Sequence, residues 1–344
     1  MKLLTLAPIY AAVALSATAL QARDFTIAGW GGNYQDAQRA AYFEPFAAAQ
    51  GGLKFIETTY LGGLAELKTM ADTSNVIWDL VITDGATLQL GCDEGLFETL
   101  DWEAIGGKDK LLPDAVTTCG LGNVIIGNGF AYNSKTFPDG PKNWADFFDL
   151  AKYPGKRGIK NDPMMNLEYA LMADGVPPDQ VYEVLATPEG VDRAFAQFDK
   201  IKAELQYWDA GSQPVEWLAA DNVAMSTAYN GRIIMAAKEG KPLSYVWTNQ
   251  ISNIDAWAIP ANSPFKAEAL EFMKIAGNPE NQAKFSSLMP YGPTNVDTPA
   301  LLPTEVVANL PADDNIKDSL FLSDAFWIDH KDELTERWNN WATH

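Results

Sequence analysis

Short apolar runs and amphipathic stretches alternate along nearly all of this 344-residue chain. Residues 24–28, 53–58 and 78–82 are too short and too apolar for surface helices and read as buried strands. Between and after them, residues 34–50, 64–72 and 88–95 carry apolar side chains at helical spacing. The pattern continues downstream, with strands expected at 124–126, 129–132, 223–226, 244–247 and 255–259. Helices are expected at 144–150, 167–173, 188–205, 214–219, 266–277, 281–288 and 329–341. Such alternation builds an α/β fold, with mixed sheets flanked by helices. Pro45, inside the first helix, lacks the amide hydrogen that a helix needs and is expected to bend or break it.

The N-terminus has a different character. Met1 and Lys2 precede an apolar run from Leu3 to Leu20, broken by Thr5, Ser16 and Thr18. It ends in Ala19-Leu20-Gln21-Ala22, a small-x-small pattern directly before Arg23-Asp24. Charge, apolar core and small-residue site in that order predict a Sec signal peptide over residues 1–22 and export to the periplasm. The competing reading is an uncut membrane anchor, for which the run is short and broken. No cysteine stands at the cleavage site, which argues against a lipoprotein. No second membrane-length apolar run follows, so the mature chain is expected to be soluble.

Charge narrows the partners. The chain has 45 acidic and 25 basic residues, a formal net charge of −20, and loss of Lys2 with the leader makes it one unit more negative. Such a surface repels nucleic acid and anionic lipid and concentrates cations. The roughly 320 residues left after cleavage predict about two domains.

The two cysteines, Cys92 and Cys119, read as a disulfide in an oxidising compartment. Two buried free thiols are the alternative. Neither cysteine has a nearby Cys or His, so no metal site is expected. Enzyme signatures are missing. The histidines are His330 and His344, and there is no His-x-x-x-His pair, no Gly-x-Ser-x-Gly elbow and no phosphate-binding loop. No cofactor is expected. A secreted hydrolase built on paired carboxylates stays as a distant alternative, because Asp and Glu are plentiful.

Seven short motifs, in order, resemble the spermidine/putrescine-binding family of periplasmic solute receptors. They are Trp30-Gly31-Gly32-Asn33-Tyr34-Gln35-Asp36, Trp78-Asp79-Leu80-Val81, Glu94-Gly95-Leu96, Ala131-Tyr132-Asn133, Ala228-Tyr229-Asn230-Gly231, Ile254-Asp255-Ala256-Trp257-Ala258-Ile259-Pro260 and Pro290-Tyr291-Gly292-Pro293-Thr294-Asn295. The resemblance implies a two-lobed periplasmic binding protein fold of type II with two hinge crossings. One lobe would combine 24–128 with 256–298, the other 129–255 with 299–344. Tyr132-Asn133 and Asn253-Ile254-Asp255 would lie near the hinges. The chain would then be the monomeric solute-binding component of an ABC importer, working with a membrane permease and catalysing nothing.

A cleft that holds an amine needs carboxylates, because a buried unpaired charge is costly, and aromatic faces for the cation and its methylenes. Carried over by position, Trp30 and Tyr34 form a wall, Asp84 and Asp162 point in from the two lobes, and Tyr229 and Tyr291 add aromatics. Asp255, an acid inside an otherwise apolar strand, is the expected ammonium partner. Asp84 and Asp162 also have a plainer reading as turn or N-cap residues. The chain departs from the family at Pro163-Met164-Met165-Asn166, where a second acid is expected, and at Asn253, where an aromatic is expected. Asp84 and Ala86 stand where the family has Ser and Tyr. Trp257 and Trp327 are candidate substitutes for the missing aromatics. The expected ligand is a small organic cation of the putrescine or spermidine kind, with an opine or amino-acid derivative as the alternative.

Overall fold

A computed structural model describes residues 23–343 apart from residue 61, so the expected leader over 1–22 lies outside the described residues. The strands are β1 (Phe25–Gly29), β2 (Phe55–Thr59), β3 (Leu80–Thr83), β4 (Gly120–Asn133), β5 (Arg157–Lys160), β6 (Leu205–Trp208), β7 (Met225–Tyr229), β8 (Leu243–Ala258), β9 (Gly292–Pro293) and β10 (Leu320–Phe321). They form one mixed sheet in the order β2-β1-β3-β8-β4-β7-β5-β6, with β9 against β4 and β10 against β8. β1 runs parallel to β2 and β3, and every residue of β1 and β3 is buried. That burial is what a parallel strand covered by helices on both faces requires, and it explains their unbroken apolar sequences.

β4 and β8 are the two long strands, 14 and 16 residues, and they run antiparallel side by side. Their pairing slips by one residue between Gly122 and Val124 and breaks more widely near the middle. β4 advances from Asn128 to Phe130 while β8 passes from Ile251 back to Val246. The extra β8 residues loop out through Asn249, whose φ of 52° is a left-handed conformation that Asn tolerates better than most side chains. Trp144 Nε1 donates to the Asn249 carbonyl at 2.8 Å and fixes the loop. Gly129 sits at the break, where a Cβ would lie 2.6 Å from the Tyr245 hydroxyl.

The core divides at this break. Before it on β4, Val124 packs with Phe25, Ile27, Leu80, Trp257 and Phe272. After it, Phe130 packs with Trp144, Ile159, Phe198, Met225 and Trp338. The result is two α/β bodies joined by the two long strands. The C-terminal helix Asp324–Thr343 buries Trp327, Leu334 and Trp338 in the second body.

Several elements differ from the sequence expectation. The segment over 34–50 is helical, but as Gly32–Gln38, a π-helical turn Arg39–Phe43 and Glu44–Ala49. Pro45 cannot donate back to Ala41, and the wider turn ahead of it absorbs the missing bond. The helix expected over 188–205 ends at Asp199, and β6 begins at Leu205. β5 was not expected, because Arg157 opens it. The guanidinium is buried there by donating to the carbonyls of Phe147, Asp149, Tyr153 and Gly155.

Cys92 and Cys119 are joined, with Cα atoms 5.8 Å apart, so the helix Gly85–Asp93 is stapled to the start of β4. The purified chain should show no titratable thiol after denaturation. Replacing both cysteines by serine should cost about 3 kcal/mol, read as a lower Tm.

Candidate functional site

Asp255 lies in β8 opposite Val124 and is 6% exposed. Its Oδ2 accepts one hydrogen bond, from Trp30 Nε1 at 3.0 Å. Trp30 follows β1, and its ring is held by stacking on Tyr60, with centroids 5.4 Å apart. Tyr60 in turn meets Trp78 edge-on at 5.3 Å. The aromatic stack therefore aims one N–H at one carboxylate.

Two further carboxylates converge on this place. Asp84 is the N-cap of the helix Gly85–Asp93, and its carboxylate accepts from Thr87 N and Thr87 Oγ1, both at 2.9 Å. Asp324 opens the C-terminal helix and packs its carboxylate against Gly85, so tightly that a Cβ there would overlap it. Burial first, and then the negative charge of Asp84, pushes Asp255 from 3.8 up to about 7, with the Trp30 bond opposing and Asp324 adding a little. Burial and Asp84 push Asp324 up to about 6.

The opposite charge comes from the other body. β7 ends in Tyr229, whose ring meets Trp208 edge-on at 5.8 Å. The next helix, Asn230–Lys238, carries Arg232 in its first turn. Arg232 is exposed and has no hydrogen bond or ion pair among the described residues. It faces Tyr291, whose hydroxyl burial raises to about 12 while the guanidinium opposes the rise. The Tyr291 ring lies against Gly231, where a Cβ would be 2.7 Å from it.

These groups line one cleft of about 880 Å³. A compartment of about 630 Å³ adjoins it through Trp30, Arg232 and Tyr291, and one of about 260 Å³ through Gly85, Asn253, Leu322 and Asp324. The shared residues place Arg232 towards one end of the cleft and Asp324 towards the other. Asn128 also lines it. Asn128 Nδ2 donates to the Ile251 carbonyl and to Asn253 Oδ1, while its Oδ1 is buried without a partner among the described residues.

Of the residues expected from the sequence, Trp30, Asp84, Tyr229, Asp255 and Tyr291 line this cleft. Tyr34 sits behind Tyr291, ring centroids 6.0 Å apart, and faces the 630 Å³ compartment; its hydroxyl accepts from Asn123 Nδ2 at 3.4 Å. Asp162 does not line the cleft. Its carboxylate turns to Met164 N at 3.0 Å and Lys160 Nζ at 3.1 Å, so it shapes a turn and holds Lys160, which does line the cleft. Met165, in the stretch that lacks the second acid, contributes to the lining from a strained left-handed backbone, φ 72°. Trp257 is fully buried in the first body, whereas Trp327 lines the cleft. Sequence reasoning missed Arg232, Lys160, Asn128 and Asp324. Arg232 left one signal, a cation in a helix's first turn, where the dipole disfavours it.

The sequence profile of bacterial extracellular solute-binding proteins matches residues 41–313. A gamma-aminobutyric acid-binding protein of Pseudomonas aeruginosa is 42% identical over 328 residues, 95% of this chain and 93% of that protein. A solved GABA receptor is 30% identical with a TM-score of 0.82, covering 93% of this chain and 98% of that one. The PBP MotA from A. tumefaciens B6, in complex with glucopine, is 29% identical with a TM-score of 0.78, covering 93% and 100%. The spermidine/putrescine-binding protein PotD of Streptococcus pneumoniae shares the fold, at a TM-score of 0.77 and 17% identity over 93% and 100%.

The raised carboxylates make a stability prediction. A folded-state value above the unfolded one means that Asp255 stabilises the ligand-free fold at low pH and loses that contribution as pH rises towards about 7. The loss is on the order of 4 kcal/mol. Asp255→Asn removes it, and the new amide can donate towards Asp84 or Asp324. Ligand-free D255N should therefore melt above the wild-type protein at pH 8, with the gap closing towards pH 4 in a calorimetric series.

Proposed function

This chain belongs to the family of bacterial extracellular solute-binding proteins, and we propose that its solute is a small ω-amino acid of the 4-aminobutanoate kind. As the solute-binding component of an ABC transporter it is a receptor and not an enzyme. In this reading residues 1–22 are the export leader, the receptor acts in the periplasm, and a membrane permease takes the solute from it. The ammonium sits at Asp255, with Asp84 and Asp324 nearby, against the faces of Trp30 and Tyr229. The carboxylate sits at Arg232.

The observation that carries this reading is the pair of uncompensated charges in one cleft. Asp255 lacks a cation, and Arg232 lacks an anion. A zwitterion with its charges at its two ends satisfies both. A polyamine satisfies only the acidic end and leaves Arg232 facing a second cation, which costs affinity. Two relatives that are named for gamma-aminobutyric acid support the same choice. A larger amino-acid derivative such as an opine is the second reading. It is favoured by the 630 Å³ compartment that opens past Arg232. Closure would bring 24–128 with 256–298 against 129–255 with 299–344, bending where β4 and β8 lose register.

Calorimetry with 4-aminobutanoate, putrescine and a simple opine tests the solute. Charged hydrogen bonds in a desolvated site contribute about 1.5–3 kcal/mol, so D255N and R232Q should each weaken 4-aminobutanoate by roughly ten- to a hundredfold. R232Q should not weaken putrescine. Putrescine binding with no heat from 4-aminobutanoate would reverse the reading. The pH dependence follows from Asp255, which must be ionised to meet an ammonium. Because its free-state value is about 7, a proton competes with the ligand below that pH. Affinity should fall as pH drops from 7.5 to 5.5, by up to about tenfold per unit, and D255N should lose most of that slope.

A further inference from the structure

The carboxyl of Glu168 takes no part in the ligand contacts described above. It sits on the helix Asn166–Ala173 and is fully buried. Its Oε1 accepts from Trp327 Nε1 at 2.7 Å and from the Tyr182 hydroxyl at 3.1 Å. The Tyr182 oxygen accepts in turn from Ser323 N at 2.9 Å, the residue just before the C-terminal helix. Glu168 therefore holds that helix twice, through Tyr182 at its start and through Trp327 one turn in. Its Oε2 has no partner among the described residues, and burial pushes the carboxyl up to about 7. A carboxyl in a dry core is costly to keep, so the geometry it fixes is the place to look for its use.

That geometry is a wall of the cleft. Asp324, Trp327, Ile328 and Lys331, from the first two turns of the C-terminal helix, line the 880 Å³ space. Asp324 marks the acidic end, against Gly85. Trp327 is only 2% exposed, so its ring fills the volume behind the wall. Removing that ring would open space behind this wall.

We propose that Trp327, held in place by Glu168, sets the longest ligand the cleft accepts. This rests on the ω-amino-acid reading. With the carboxylate fixed at Arg232, each added methylene drives the ammonium past Asp255 towards Asp324 and Trp327. Trp327 is the block, and Glu168 is its positioning residue.

The test is the affinity of the full chain for 4-aminobutanoate, 5-aminopentanoate and 6-aminohexanoate, read as a ratio because general loosening weakens all three together. In W327A the ratio should move by about tenfold or more in favour of 6-aminohexanoate, the scale of one or two methylenes in an apolar pocket. W327F, which cannot donate to Glu168, and E168L should move it in the same direction by less. E168Q keeps an accepting oxygen for Trp327 and should restore the wild-type ratio. If W327A does not fold, W327F and E168L carry the test. An unchanged length profile in the folded variants, while the wild-type protein binds 4-aminobutanoate, overturns length selection and leaves the ω-amino-acid reading standing. A wild-type protein that binds none of the three overturns both.

Discussion

Asp255 places a carboxyl between Ile254 and Ala256 on β8, almost out of reach of water, with one indole N–H as its hydrogen-bond partner. Much of the cleft is arranged around that deficit. The Trp30–Tyr60–Trp78 stack fixes the indole that supplies the bond. Asp84 caps its own helix, and its negative charge deepens the deficit. Asp324 brings a third carboxylate instead of a cation. The empty site is therefore held in an unfavourable electrostatic state. On the ω-amino-acid reading, an ammonium would relieve that state as well as make its own contacts.

The chain's strong acidity hides an asymmetric cleft. Three basic side chains line the cleft, and Lys160 is paired with Asp162, while Arg232 and Lys331 have no ion pair among the described residues. Arg232 enters from the helix after β7 and Lys331 from the C-terminal helix that Asp324 opens. A net charge of −20 describes how cations approach the protein, and it does not reveal that cationic side chains also line the cleft.

What could be read in the sequence follows the same physics. β1, β3 and the end of β8 show as unbroken apolar runs because helices cover both of their faces. Asp255 stood out as an acid where such a run should have none. Trp30 and Tyr229 stood out only through the family resemblance of the motifs that contain them. β5 was hidden, because Arg157 is buried through backbone carbonyls rather than through an apolar partner, and β6 was hidden behind a helix expected to run to residue 205. Arg232, Lys160 and Asp324 look like surface charges, and only the approach of distant segments gives them a common space. Asp162 carried the family position but not its geometry, since two residues on Met164 N claims the carboxylate.

The break in register between β4 and β8 also decides which lining residues share one root. Asn128 borders the break, and Asp255 lies a few residues past it on β8. Tyr229 pairs with Asn128, and Asn230 Oδ1 accepts from Gly127 N, so the start of the Arg232 helix is tied to the same place. Charged groups from both bodies are thus rooted beside one break, and a rotation about it would change their spacing less than that of residues at the cleft rim.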